Sequence, residues 1–75
     1  MPKLPRISGA DAIRALQKFG FVQVRPRGSH VVLKKTTETS EIGCVVPLHD
    51  ELAIGTLRGI LRQAQIDPEA FIKAL

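Results

Sequence analysis

The residues best suited to chemistry are gathered in one short stretch, Arg25-Pro26-Arg27-Gly28-Ser29-His30. Histidine is the side chain whose ordinary pKa lets it give and take a proton near neutrality. Two arginines introduce it, and their planar guanidinium groups suit phosphate oxygens. A proton shuttle beside an anion clamp is the minimum equipment for work on a phosphodiester. Gly28 permits a turn with positive φ, and Ser29 could orient the imidazole or donate to phosphate. Arg25, Arg27, Lys34 and Lys35 would supply sequence-independent phosphate contacts. Each has a plainer alternative. A lone lysine is usually just solvated, Ser29 reads equally well as a hairpin residue, and His30 could merely begin a strand at a polar edge.

The remaining candidates are weaker. His49, in Pro47-Leu48-His49-Asp50, is either a second acid/base group or a loop or cap residue, and the sequence favours the latter. Two histidines nineteen residues apart, with a single remote Cys44, do not make a structural zinc site. No acidic cluster beside His30 resembles a magnesium site. The expectation is therefore no metal and no cofactor. Cys44 lies in an apolar run and reads as a small core residue rather than a nucleophile.

Three strand-like runs and three helices would have to position these groups. Residues 1–6, with two prolines and two basic side chains, read as an extended lead-in. Ser8 and Asp11 make a capping-box-like start to a helix over roughly Gly9 to Phe19, stopped by Gly20. Phe21 to Arg25 alternates, with Val22 and Val24 on one side and Gln23 and Arg25 on the other; Pro26 and Gly28 should break it. His30 to Lys35 is a second run, Val31 and Leu33 facing one way and His30, Val32 and Lys34 the other. Thr36 to Gly43 reads as an exposed loop, and Cys44-Val45-Val46 as a third strand closed by Pro47. Leu57, Ile60, Leu61 and Ala64 form one helical stripe over Thr56 to Ala64, with Arg58 and Arg62 projecting elsewhere. Asp67-Pro68 caps a last short helix, Pro68 to Ala74. Short loops favour an antiparallel meander. Helices on one face of that sheet would leave Arg25, His30 and Lys34 on the other.

Composition narrows the partners. Seventy-five residues make one domain, 1–75, near the lower limit for a self-sufficient core. Eleven Lys and Arg against seven Asp and Glu give a formal charge of +4, which favours a polyanion or an acidic protein surface. There is no Trp or Tyr, which argues against a base-stacking platform for single strands. One cysteine cannot form an internal disulfide, and no run reaches signal-peptide or membrane-spanning length. A soluble cytoplasmic protein without membrane contact is expected.

Several segments together resemble the HicA toxin family. They are Gly28-Ser29-His30 after the Gly20-Phe21 strand start, Val46-Pro47-Leu48-His49, and Gly55-Thr56-Leu57-Arg58-Gly59-Ile60-Leu61-Arg62-Gln63-Ala64. The likeness runs from the first helix to Glu69-Ala70-Phe71. It departs at Gln65, where similar proteins often carry the Gly that ends the helix. The resemblance implies an α+β, double-stranded-RNA-binding-domain-like order, α-β-β-β-α with a short extra C-terminal helix. It also implies a ribonuclease that cleaves messenger RNA, with His30 as the catalytic histidine and a HicB-like antitoxin as partner.

Such chemistry asks little of the protein. RNA carries its own nucleophile, the 2′-OH, so the enzyme need only move protons and stabilise charge on phosphorus. Two other classes stay open on the residues alone. A basic domain of this order could bind RNA without cleaving it, or its basic face could meet an acidic protein. A titrating imidazole in the turn favours the enzyme, since a passive phosphate binder gains little from it.

Overall fold

The computed structural model describes residues 3–75. Its elements run α1 (Gly9–Lys18), β1 (Val22–Arg27), β2 (His30–Thr36), β3 (Glu41–Pro47), α2 (Ile54–Ala64) and α3 (Pro68–Ala74). The three strands form one antiparallel sheet in the order β1-β2-β3. This is the expected α+β order with its extra C-terminal helix. The expected lead-in begins on residues 1 and 2, which lie outside the described residues. Within it, Leu4 is buried in the core.

Local chemistry sets the helix ends. Ser8 Oγ accepts the Asp11 N–H at 3.0 Å, which is half of a capping box. The Asp11 carboxylate, too short to complete the box, pairs instead with Arg14 one turn on. Asp67 Oδ2 accepts from Glu69 and Ala70, and Pro68 occupies the first turn of α3, where no N–H is missed. The helix expected to start at Thr56 begins two residues earlier, at Ile54.

The core lies between the helices and one face of the sheet. Val31 and Leu33 of β2 and Cys44 and Val46 of β3 point into it, where they meet Leu16, Leu57, Leu61 and Phe71. Phe71 is fully buried, so α3 acts as a plug. Truncating such a side chain to Ala typically costs about 3–5 kcal/mol. The Lys18 ammonium also donates to the Ala74 carbonyl at 2.7 Å, tying α1 to the end of α3.

Three strand expectations need correction. β1 does not stop at Arg25: it runs to Arg27 with Pro26 inside it. β1 is an edge strand, and an edge tolerates a residue without an N–H. Nor does β1 alternate simply. Val22 pairs with Lys34 and Gln23 with Leu33, then a bulge intervenes before Arg25 pairs with Val32. Cross-strand partners share a face, so Val22 lies on the open face, Gln23 on the helix side, and the bulge returns Arg25 to the open face. Finally, the loop expected over Thr36 to Gly43 is only a turn. Thr36 ends β2, β3 starts at Glu41, and Thr37 and Ser40 close the turn between them by side-chain and backbone hydrogen bonds. The Thr, Ser and Glu content masked a regular alternation of exposed Glu41, Gly43 and Val45 with Ile42, Cys44 and Val46.

The two sheet edges differ. The backbone N–H of Val45 on β3 donates to the Gln63 side chain of α2 at 3.4 Å, so α2 reaches that edge at one point. Every residue of β1 is exposed.

Candidate active site on the first hairpin

Gly28 and Ser29 form a two-residue turn between β1 and β2, closed by the cross-strand pair Arg27 and His30. Gly28 has φ +61° while Ser29 does not share a positive φ. Those signs suit a type II′ turn, whose twist matches the flanking strands. Nothing lies within 4 Å of where a Cβ on Gly28 would stand, so backbone geometry rather than crowding selects glycine. The turn therefore projects freely from the sheet.

His30 is exposed and faces away from the helices, as the alternation of β2 requires. Across β1 it opposes Arg27, and across β3 it opposes Pro47. Ser29 Oγ lies 3.4 Å from His30 Nδ1. A contact on Nδ1 leaves Nε2 as the nitrogen free to meet a substrate.

The base of the turn is held by backbone. The Ser29 carbonyl accepts the Leu48 N–H at 2.7 Å, and the His49 carbonyl accepts the Gly9 N–H at 2.9 Å. The start of α1 approaches so closely that a Cβ on Gly9 would fall 2.1 Å from the Pro47 carbonyl oxygen. Turn, β3 exit and α1 start are thus one fixed assembly. Sequence reading missed this role of Gly9, because a glycine just after a Ser cap looks like an ordinary helix start.

The open face carries its residues in rows. Arg27 and His30 form the first with Pro47, which is itself buried; Arg25, Val32 and Val45 form the second, and Val22, Lys34 and Gly43 the third. Arg25, Arg27, Gly28 and Ser29 therefore stand with His30 at one end of the sheet. Lys34 shares the face but lies four residues along β2, about 13 Å away at 3.3 Å per residue, and its ammonium pairs with Glu41 at 3.2 Å. Lys35 points to the other side, its stem beside Gly20. The hairpin cluster excludes both lysines. Val22, Val32 and Val45 give the middle of the open face an apolar strip, with Val22 64% and Val45 41% exposed.

Among the described residues, no three His, Cys, Asp or Glu side chains gather as a metal site. Cys44 is buried in β3, and desolvation pushes its thiol up to about 11, so it stays protonated and unreactive. No helix among the described residues is long and apolar enough to cross a membrane.

The chain is thus a basic three-stranded α+β domain that presents an arginine-flanked histidine on a hairpin tip. Its sequence matches the family model described as the HicA toxin of bacterial toxin–antitoxin systems over residues 9–66. The chain belongs to that family. No curated protein matches it.

Proposed function

We propose that this HicA-family toxin is an endoribonuclease that cleaves messenger RNA by His30-dependent, metal-independent transesterification in the cytoplasm. The observation that carries this reading is the exposed His30 directly opposite Arg27 across a two-residue turn. Arg25 and Arg27 would bind the scissile and neighbouring phosphates, with the Gly28 backbone and the Ser29 hydroxyl close beside them. Lys34 and Lys35 would serve more distant stretches of the strand. His30 Nε2 would exchange a proton with the ribose 2′-oxygen or with the departing 5′-oxygen. The residues supply what the reaction needs without a protein-held metal.

A HicB-like antitoxin would neutralise the toxin by covering the open face. That face combines the cations Arg25 and Arg27 with the apolar strip of Val22, Val32 and Val45, a composition suited to an acidic protein with an apolar centre.

The deciding experiment compares natural protein with His30→Ala on RNA in excess chelator. The natural protein should cut and leave a 2′,3′-cyclic phosphate, whereas DNA, lacking the 2′-OH, should stay intact. His30→Ala should lose roughly a hundredfold or more, the usual weight of general acid–base catalysis. Its fold and most of its RNA affinity should survive, since arginines supply the electrostatic contacts. Near-normal cleavage by folded His30→Ala would falsify the assignment, and binding without cleavage by the natural chain would make this a passive RNA module.

A further inference from the structure

We propose that His49 is the second proton-transfer residue, working with His30 from opposite sides of the scissile phosphate; this rests on the ribonuclease reading above. The pairing of β2 with β3 puts Pro47 directly opposite His30. It continues one step beyond the strand, where the Leu48 N–H donates to the Ser29 carbonyl at 2.7 Å. Leu48 lines the groove on the helix side together with Ala10 and Ile13. β3 ends at Pro47, and its alternation carried on past that end would set the next residue, His49, on the side of the sheet that carries His30. Diagonal neighbours in such a ladder stand about 7–8 Å apart, within reach of long side chains. That gap is wide enough to admit a phosphate between two imidazoles.

The backbone gives His49 a fixed place. Its carbonyl holds the Gly9 N–H, and its exposed side chain stays available to a ligand. The His49 main chain thus meets the start of α1, whose cap is Ser8. The side chain does not take part in that bond.

Two histidines complete a balanced reaction. The unprotonated imidazole takes the proton of the 2′-OH as the 2′-oxygen forms its bond to phosphorus. The bond from phosphorus to the 5′-oxygen breaks, and the protonated imidazole gives its proton to that oxygen. The products are a 2′,3′-cyclic phosphate and a 5′-hydroxyl, and the two histidines have exchanged protonation states.

The charged groups around the pair are few. Arg27 faces His30 from β1. Asp50 and Glu51 follow His49, with Glu51 paired to Arg6 at 3.4 Å, and Asp11 of the adjoining α1 is engaged by Arg14. A general base and a general acid acting together predict a bell-shaped dependence of kcat on pH for the natural protein.

The test uses the full chain and an RNA oligomer spanning a cut site mapped with the natural protein. The oligomer is made with either the ordinary 5′-oxygen or a bridging 5′-sulfur, a leaving atom that needs no proton. His49→Gln should lower kcat on the oxygen substrate by about a hundredfold or more with KM little changed, and should keep one limb of the pH profile. On the sulfur substrate, either His49→Gln or His30→Ala should recover to near the natural rate, and the other should not. The rescued variant is the one that lost the acid. A near-natural kcat and an intact bell for His49→Gln, a single-limbed profile for the natural protein, or rescue of neither variant each overturns the pairing. Full activity of His30→Ala would instead bring down the underlying site.

Discussion

Arg27 and His30 are cross-strand partners, the last residue of β1 opposite the first of β2. Their side chains therefore share the open face at the tip of the sheet, with no other residue between them along the ladder. On the proposed ribonuclease reading, a guanidinium at that position would place a phosphate oxygen beside the imidazole, where Lys34 and Lys35 could not.

The relationship ranks the cations. In a His30→Ala background, expected to keep the RNA whole, Arg27→Ala should weaken binding and flatten the log–log salt dependence by about 0.7, the share of one phosphate contact on a single strand. Lys34→Ala should change the slope less, because Glu41 already partners that ammonium. Titrations at several salt concentrations give both slopes directly. The same order should appear in the association rate with an acidic antitoxin, which long-range charge accelerates. Equal slopes for the two variants would mean that the hairpin is not the phosphate clamp.

Gly9 should matter to activity although it touches no substrate. An alanine there drives a methyl group against the Pro47 carbonyl, and every atom it meets, in Pro47 and Leu48, is backbone. Overpacking of this kind costs about 1–3 kcal/mol. It should also displace the segment carrying His49, so cleavage should fall even well below the melting temperature. Gly59→Ala is the control. That site is helical with open space around the added carbon, and the change should stabilise by about 0.5–1 kcal/mol with cleavage retained. Paired melts and rate measurements separate the two cases.

Sequence periodicity reveals the helices and β2 because each has one buried stripe and one wet one. Val31 and Leu33 against His30 and Lys34 suffice to put the histidine on the free face. β1 is harder to read for a physical reason: as an uncovered edge it has no buried side to impose alternation, so a bulge and a proline cost it little. The turn from Thr37 to Ser40 looked longer than it is because β3 exposes one face, and exposed positions take the same polar residues as loops. The Arg25–His30 cluster was legible since it is contiguous in the chain. The join between Gly9, Pro47 and Leu48 was not, because it is made by main-chain atoms of residues far apart in sequence.

Cys44 gives a pH dependence with a definite sign. Its ordinary value of 9.0 is raised to about 11 by burial in the folded chain. Below about 9 the thiol is protonated in both states and contributes no slope. Between about 9 and about 11 the unfolded chain binds fewer protons than the native one, so stability falls as pH rises. Cys44→Ala should remove that part of the decline, although loss of the buried sulfur lowers stability at every pH. Denaturant midpoints across this range provide the measurement. Identical slopes in the two proteins would show that other groups govern the alkaline limb.

Gln65 ends α2 in the left-handed region, φ 57° and ψ 42°, the only non-glycine with positive φ among the described residues. The helix closes there with the Ile66 N–H on the Leu61 carbonyl at 3.0 Å, and the Gln65 N–H on the Arg62 carbonyl at 3.2 Å. This arrangement satisfies the last carbonyls and turns half-buried Ile66 back onto the core. It is the geometry that a glycine adopts without penalty, and a residue with a Cβ pays about 1–2 kcal/mol for it. Gln65→Gly relieves that strain but gives the unfolded chain more freedom, which offsets part of the gain. The expected result is a net stabilisation of about 0.5–1 kcal/mol, read as a higher denaturant midpoint at unchanged m-value. RNA cleavage should not change, because the substitution alters neither the hairpin nor the Pro47–His49 segment. A destabilised Gln65→Gly protein would mean that the glutamine side chain holds the helix end by contacts that outweigh its backbone strain.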